Sequence, residues 1–360
     1  MRATSEGYVV SATDDHVRLI GRTYEQDGVT WLAQSGSAVE FEVTGTRVQV
    51  QILGDENVHN EEDLLPRFAV LIDGEVAVDD TLGEESRTVE VLRGDAPTTA
   101  VVTVMLLSES VRGAVGVGDI TVDTNQAGPV RPTAAADLSI EFIGDSITCG
   151  YAVETLSVSD PFTTTTENFM KTYAYLAAQE LGADYSVVGY SGHGIVSGWT
   201  GDGTRNDGML LPPLYELVSR DSNRPWDFGA HDYDVVVVNL GTNDLTYAGE
   251  DEGRLQEFSR AYADFLSQVR ACNPDSYIIC TLGTMDTQEL YPWLEQAVES
   301  YQASSGDTRI TCYLSEPIDV EHDGVGTNGH PNATSQQKAA DALVDVIRQL
   351  QAEGAIVSGS

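Results

Sequence analysis

The first third of the chain alternates apolar and polar residues, and the remainder separates short apolar runs with helical periods. Residues 37–43 read Ser-Ala-Val-Glu-Phe-Glu-Val, then Thr44-Gly45-Thr46 precedes Val48, Val50 and Ile52. The period of two predicts strands on either side of a turn at Thr44–Thr46. Further runs at 68–72, 88–92, 99–107 and 115–122 predict more strands, and Asp73-Gly74 is a hairpin signal. No segment before about residue 124 carries a helical period. Many short strands without helices predict an all-β sandwich.

The pattern changes after residue 124. The stretch Thr124-Asn-Gln-Ala-Gly-Pro-Val-Arg-Pro-Thr-Ala-Ala-Ala-Asp137 reads as a linker by its Pro, Gly and Ala content. Beyond it, apolar runs at 140–143, 185–189, 235–240, 277–282 and 310–314 predict five strands. Amphipathic periods lie between and after them, carrying Phe169, Tyr173 and Leu176, then Phe258, Tyr262, Phe265, Leu266 and Val269, and finally Ala339, Leu343, Val346, Ile347 and Leu350. Strands alternating with helices predict a three-layer α/β domain around a five-stranded parallel sheet, whose ligands bind beyond the carboxyl ends of the strands.

Composition narrows the partners. With 360 residues the length favours two domains, and the net charge is −38. Lysine occurs only at Lys171 and Lys338. So acidic a surface repels phosphate backbones and anionic lipids, so neither nucleic acid nor membrane is an expected partner, and a neutral substrate is compatible with it. The start, Met1-Arg-Ala-Thr-Ser-Glu-Gly, has no apolar leader core, which gives a cytoplasmic expectation for the chain as written. Cys149, Cys272, Cys280 and Cys312 lie at no metal-ligand or redox spacing and are expected to be reduced and structural. His16, His59, His231 and His322 form no ligand pattern, so no metal and no cofactor is expected.

Chemistry gathers just after the predicted strands. Gly144-Asp145-Ser146-Ile147 follows the first, Tyr190-Ser191-Gly192-His193-Gly194 the second, and Gly241-Thr242-Asn243-Asp244 the third; Gly329-His330-Pro331 precedes the final helix. A serine hydroxyl is a poor nucleophile near neutral pH and needs an adjacent base to take its proton. Ser146 offers the hydroxyl and His330 the base. A tetrahedral oxyanion needs fixed donors, and the N–H groups of Ser146 and Gly192 with the Asn243 amide can supply them. Singly, each signal is weak. All four in this order, each at a strand end, point to acyl transfer.

These residues carry a resemblance to a known family. Ser146, Gly192, Asn243 and His330 stand where the SGNH (GDSL-like) hydrolases carry the residues that name them. The flanking text Lys171-Thr-Tyr-Ala-Tyr, Gly189-Tyr-Ser-Gly-His-Gly-Ile-Val, Pro225-Trp-Asp-Phe and Asn239-Leu-Gly-Thr-Asn-Asp, with Trp31-Leu-Ala-Gln-Ser-Gly-Ser-Ala-Val-Glu-Phe in front, resembles carbohydrate esterase family 2. That resemblance implies an N-terminal jelly roll (1–124), a linker (125–137), an SGNH catalytic domain (138–353) and a tail (354–360). It implies removal of O-acetyl groups from plant-derived xylo-, manno- or gluco-oligosaccharides through an acetyl-Ser146 intermediate, as in acetylxylan esterases. Members usually carry Asp three residues before the histidine; here that position is Thr327, and the next is Asn328. His330 is then oriented either by a backbone carbonyl or by a carboxylate, for which Asp323 is the remaining nearby acid.

The other residues near these motifs have blander roles to weigh. Asp145 reads as a turn or helix cap and Asp244 as a brace for the Asn243 loop. His193 can touch substrate or simply pack. Trp199 can anchor its loop or offer a platform to a sugar ring. The rival functions are a lipase or thioesterase of the same superfamily and an inactive carbohydrate-binding protein. The sequence leaves the sugar, the acetyl position and the oligomeric state open.

Overall fold

The structure is a computed structural model that describes residues 2–3, 7–285 and 287–357. Met1 and residues 4–6 at the start, and residues 358–360 of the expected tail, lie outside the described residues. The chain divides into two compact units, one reaching Ala135 and including Thr163–Thr165, the other holding the rest.

The first unit is all-β and antiparallel, as its alternation predicts. Its spine is one strand, Ala38–Gly54, whose buried residues include Val39, Phe41, Val43, Val48, Val50 and Ile52. The predicted turn at Thr44–Thr46 is absent. Chain pairing continues through Gly45 against the strand Ser86–Leu106, with the register shifting between Gly45 and Arg47. Gly45 serves close approach instead of a turn: a Cβ there would lie 2.8 Å from Val122 Cγ1. The runs at 88–92 and 99–107 likewise fuse into Ser86–Leu106. The Asp73-Gly74 hairpin forms as predicted, with φ of 50° and 84° between the paired residues Ile72 and Glu75. Short 3₁₀ turns interrupt the strands, and Val130–Pro132, within the predicted linker, pairs with Phe41–Val43 of the spine. The fold class is the one expected, a β-domain followed by a parallel α/β domain.

In the second unit the five strands are β1 (Ser139–Gly144), β2 (Asp184–Gly189), β3 (Val235–Asn239), β4 (Tyr277–Leu282) and β5 (Ile310–Leu314). All pairings are parallel, in the order β2-β1-β3-β4-β5. Every residue of β3 and β4 is buried, as a sheet covered on both faces requires. The helices are α1 (Ser146–Cys149), α2 (Tyr173–Leu181), α3 (Thr242–Ala248), α4 (Glu252–Cys272), α5 (Tyr291–Ser305) and α6 (Ala333–Ala352). Helix α2 packs on α6, and α4 on α5. Phe169 does not join Tyr173 in a helix: it sits in a separate 3₁₀ turn, and Thr172 caps α2 by accepting from the Tyr175 N–H.

This strand order reverses direction between β1 and β3, the switch point where open α/β sheets leave a crevice. Helix α1 leaves the end of β1, and α3 follows the end of β3. Among the described residues no helix is long and apolar enough to cross a membrane.

Candidate active site

Ser146 is the first residue of α1, a single turn that the Asp145 side chain caps by accepting from the Ile147 N–H at 3.0 Å. The tight exit from β1 depends on Gly144, where a Cβ would fall 2.0 Å from Thr148 Oγ1. His330 enters from the other end of the domain, just before α6, on the 3₁₀ turn Thr327–Gly329. The two meet: His330 Nε2 lies 2.8 Å from Ser146 Oγ. On the far side of the ring, Nδ1 lies 3.1 Å from the Thr327 carbonyl oxygen. A carbonyl only accepts, so the ring proton sits on Nδ1 and Nε2 is left to accept from the serine hydroxyl. Burial pushes the imidazole down to about 4 from its ordinary 6.5, with the Thr327 carbonyl opposing that shift. The pair is therefore neutral at neutral pH, in the state from which a base can act.

The backbone carbonyl, not a carboxylate, orients the ring. The Asp323 carboxylate instead accepts from Lys338 Nζ at 2.6 Å, and its own carbonyl accepts from Asn332 Nδ2. At Thr327, the hydroxyl is engaged with Thr155 and the Asp160 carbonyl.

Gly192 follows β2 with φ of 77°, a left-handed conformation that glycine adopts without strain. A Cβ at this position would lie 2.7 Å from Met209 Cε. Asn243 and Asp244 stand in the first turn of α3, where a loop was predicted. The Asn243 amide donates to Asp145 Oδ2 at 3.1 Å and to the His193 carbonyl at 2.9 Å, which joins the strand ends of β1, β2 and β3. Asp244 braces the Gly192 segment: its carboxylate accepts the N–H groups of Ile195, Val196 and Ser197. Burial drives Asp145 up to about 7 and Asp244 up to about 6; the charge of Asp244 adds to the shift at Asp145, and backbone donors oppose both.

His193 is 3% exposed, with its ring 5.2 Å from that of Tyr190, and its backbone carbonyl accepts from the Asn243 amide. Trp199 is 58% exposed, and its backbone N–H donates to the Gly192 carbonyl at 2.8 Å. The site thus gathers Ser146, His330, Gly192, Asn243, Asp145 and Asp244. Sequence reasoning passed over Tyr151, whose ring lies 4.5 Å from that of His330. Its place directly after the Gly150 that ends α1 was the available signal. Among the described residues no group of His, Cys, Asp and Glu is arranged to hold a metal ion.

A model of the GDSL-like lipase/acylhydrolase family matches residues 142–358, and one of the carbohydrate esterase 2 N-terminal domain matches residues 19–148. The chain belongs to the GDSL-like lipase/acylhydrolase family and has the two-domain organisation of carbohydrate esterase family 2. It is 29% identical over 88% of its length to the cellulase/esterase CelE of Acetivibrio thermocellus, and spans 37% of that relative. It is 24% identical to an acetylxylan esterase/glucomannan deacetylase of Cellvibrio japonicus, covering 96% of this chain and 92% of the relative. Among solved structures, a family two carbohydrate esterase from Clostridium thermocellum in complex with cellohexaose superposes with a TM-score of 0.81 at 27% identity, covering 93% of this chain and 99% of that one.

Proposed function

We propose that this protein is a serine esterase that removes O-acetyl groups from a neutral oligosaccharide of the xylan or mannan type, with Ser146 as nucleophile and His330 as general base. The observation that carries the reading is the 2.8 Å contact between Ser146 Oγ and His330 Nε2 at the switch point of the sheet. Ser146 Oγ attacks the acetyl carbonyl carbon while Nε2 takes its proton. Negative charge develops on the carbonyl oxygen, which the N–H groups of Ser146 and Gly192 and the Asn243 amide receive. One such donor is worth about 10²–10³ in rate. The imidazolium then returns the proton to the departing sugar oxygen, leaving acetyl-Ser146, which water hydrolyses by the same steps. Asp145 and Asp244 hold the oxyanion donors in place, and exposed Trp199 offers its face to the sugar bearing the ester. Support for a carbohydrate substrate comes from the relatives named above and from a net charge that disfavours anionic ligands.

The test is acetate release from acetylated xylo- and manno-oligosaccharides by wild type and Ser146→Ala, beside a chain-length series of nitrophenyl esters. Wild type should release acetate, lose activity steeply beyond the acetyl ester, and lose all turnover in the alanine variant. A variant that keeps a tenth of wild-type kcat shows that the nucleophile is another group. A preference for long acyl chains shows a lipase or thioesterase.

A further inference from the structure

His330 acts without a carboxylate partner, yet its ring must carry a positive charge each time it holds the serine proton. The Thr327 carbonyl supplies only a dipole. A second neighbour lies against the ring: the centroid of Tyr151 is 4.5 Å from that of His330, with the planes inclined at 42°. Phe162 stacks on Tyr151 at 4.2 Å and 6°.

Two independent ties fix Tyr151 there. Helix α1 ends at Gly150, whose φ is 87°, and the N–H groups of Gly150 and Tyr151 both donate to the Ser146 carbonyl, at 3.1 and 3.0 Å. The nucleophile's own backbone thus anchors the ring. From the opposite side, Asn328 Nδ2 donates to the Tyr151 hydroxyl at 3.2 Å. Asn328 stands at φ 55°, a conformation that asparagine tolerates better than most residues, inside the turn held by the Thr327 N–H to Thr155 Oγ1 at 2.8 Å. Of the two positions before His330 where an acid was sought, Thr327 supplies a carbonyl to the imidazole and Asn328 tethers an aromatic ring beside it.

An aromatic face attracts a cation within about 6 Å of its centroid, and more strongly where water is scarce. We propose that Tyr151 is a positioning residue for the reaction, whose ring face stabilises the imidazolium of His330 in place of the missing carboxylate; this rests on the esterase reading above. During attack the proton passes from Ser146 Oγ to Nε2 as the Oγ–carbon bond forms, and the ring charge is greatest at that moment. Tyr151 therefore favours the transition state over the resting neutral pair, and its effect falls on kcat.

The decisive experiment keeps the ring and weakens its face. Tyr151→Phe is followed by phenylalanines bearing one, two and three ring fluorines at the same position, with kcat and KM measured on nitrophenyl acetate. We expect log kcat to fall with each fluorine, by about tenfold across the series, with KM changing less than about twofold. Tyr151→Leu should lose at least as much. A flat kcat series, or losses confined to KM, overturns the inference and leaves Tyr151 a packing or substrate contact. The NMR titration of His330 in the same series on a Ser146→Ala background reads the same interaction without turnover: its pKa should fall as fluorines are added, and an unchanged value overturns the proposal. If the wild type releases no acetate, the esterase reading fails on its own test, while the titration still decides whether the ring faces the charge.

Discussion

Asn243 donates its side-chain amide to the carboxylate of Asp145, Nδ2 to Oδ2 at 3.1 Å, across a sequence gap that only the sheet closes. Its second hydrogen goes to the His193 carbonyl at 2.9 Å. Both hydrogens are engaged in the resting site, so donating to an oxyanion means exchanging one of these partners. Asp145→Asn keeps the helix cap but sets an amide against an amide. It should lower kcat by about tenfold to a hundredfold, within the range for a single oxyanion donor, with KM nearly constant. Wild-type kcat in this variant would show that Asp145 does not orient Asn243.

The same carboxyl ties stability to pH. Asp145 titrates near about 7 in the folded chain against an ordinary 3.8. Between those values the folded state holds a proton that the unfolded state has released, so this group's contribution to stability falls as pH rises through the window. Asp145→Asn removes that dependence. Urea unfolding should show the variant gaining on wild type from about pH 4 to about pH 7, by an amount on the order of a few kcal/mol. A constant difference across that range contradicts the buried, protonated carboxyl.

With His330 as the proposed base, its burial sets the acid limb expected of the activity. The base must be neutral, and its folded value is about 4, so kcat/KM should persist through mildly acidic pH and fall only as about 4 is approached. A limb near the ordinary 6.5 would mean an imidazole as hydrated as in free solution. Any separate step near 7 that disappears in Asp145→Asn belongs to that carboxyl.

Asp323 is paired with Lys338 and does not touch His330. Removing a true triad acid costs about 10⁴ in rate. Asp323→Ala should instead change kcat by less than about threefold, and a loss near the triad value would place a carboxylate behind the imidazole after all.

Trp199 joins the constellation by its backbone and leaves its indole exposed. Trp199→Ala should cut kcat/KM on acetylated oligosaccharide by about tenfold, consistent with aromatic stacking plus buried area, while sparing nitrophenyl acetate. Equal losses on both substrates would make the indole a prop for the Gly192 segment.

The parallel sheet was legible because its strands are short, mostly apolar runs, as coverage on both faces requires of the central ones, and β4 and β5 have the boundaries that their runs predict. The long strands of the β-unit were not, since Gly45 carries the same letter whether it turns a chain or lets Val122 approach. Helix α5 was overlooked although Leu294, Ala297, Val298 and Tyr301 are buried at helical spacing. At the site, Ser146, Gly192, Asn243 and His330 were readable because each follows a strand or precedes a helix. The Thr327 carbonyl was not, because every residue has one and nothing in the side chain announces its use. The Tyr151–His330 contact joins the end of α1 to the turn before α6, and only the folded chain brings them together.

Cys149 closes the turn that Ser146 opens, and Cys280 and Cys312 sit side by side on β4 and β5. None is in a disulfide, Cys149 and Cys280 are buried, and burial pushes the Cys280 thiol well above its ordinary value and the half-buried Cys312 thiol up. An alkylating reagent therefore reaches the buried thiols of Cys149 and Cys280 only when the surrounding structure opens. Labelling at Cys149 becomes a clock for how often the turn that carries Ser146 comes apart, and labelling at Cys280 a clock for the sheet beneath it, both running without a single substrate turnover.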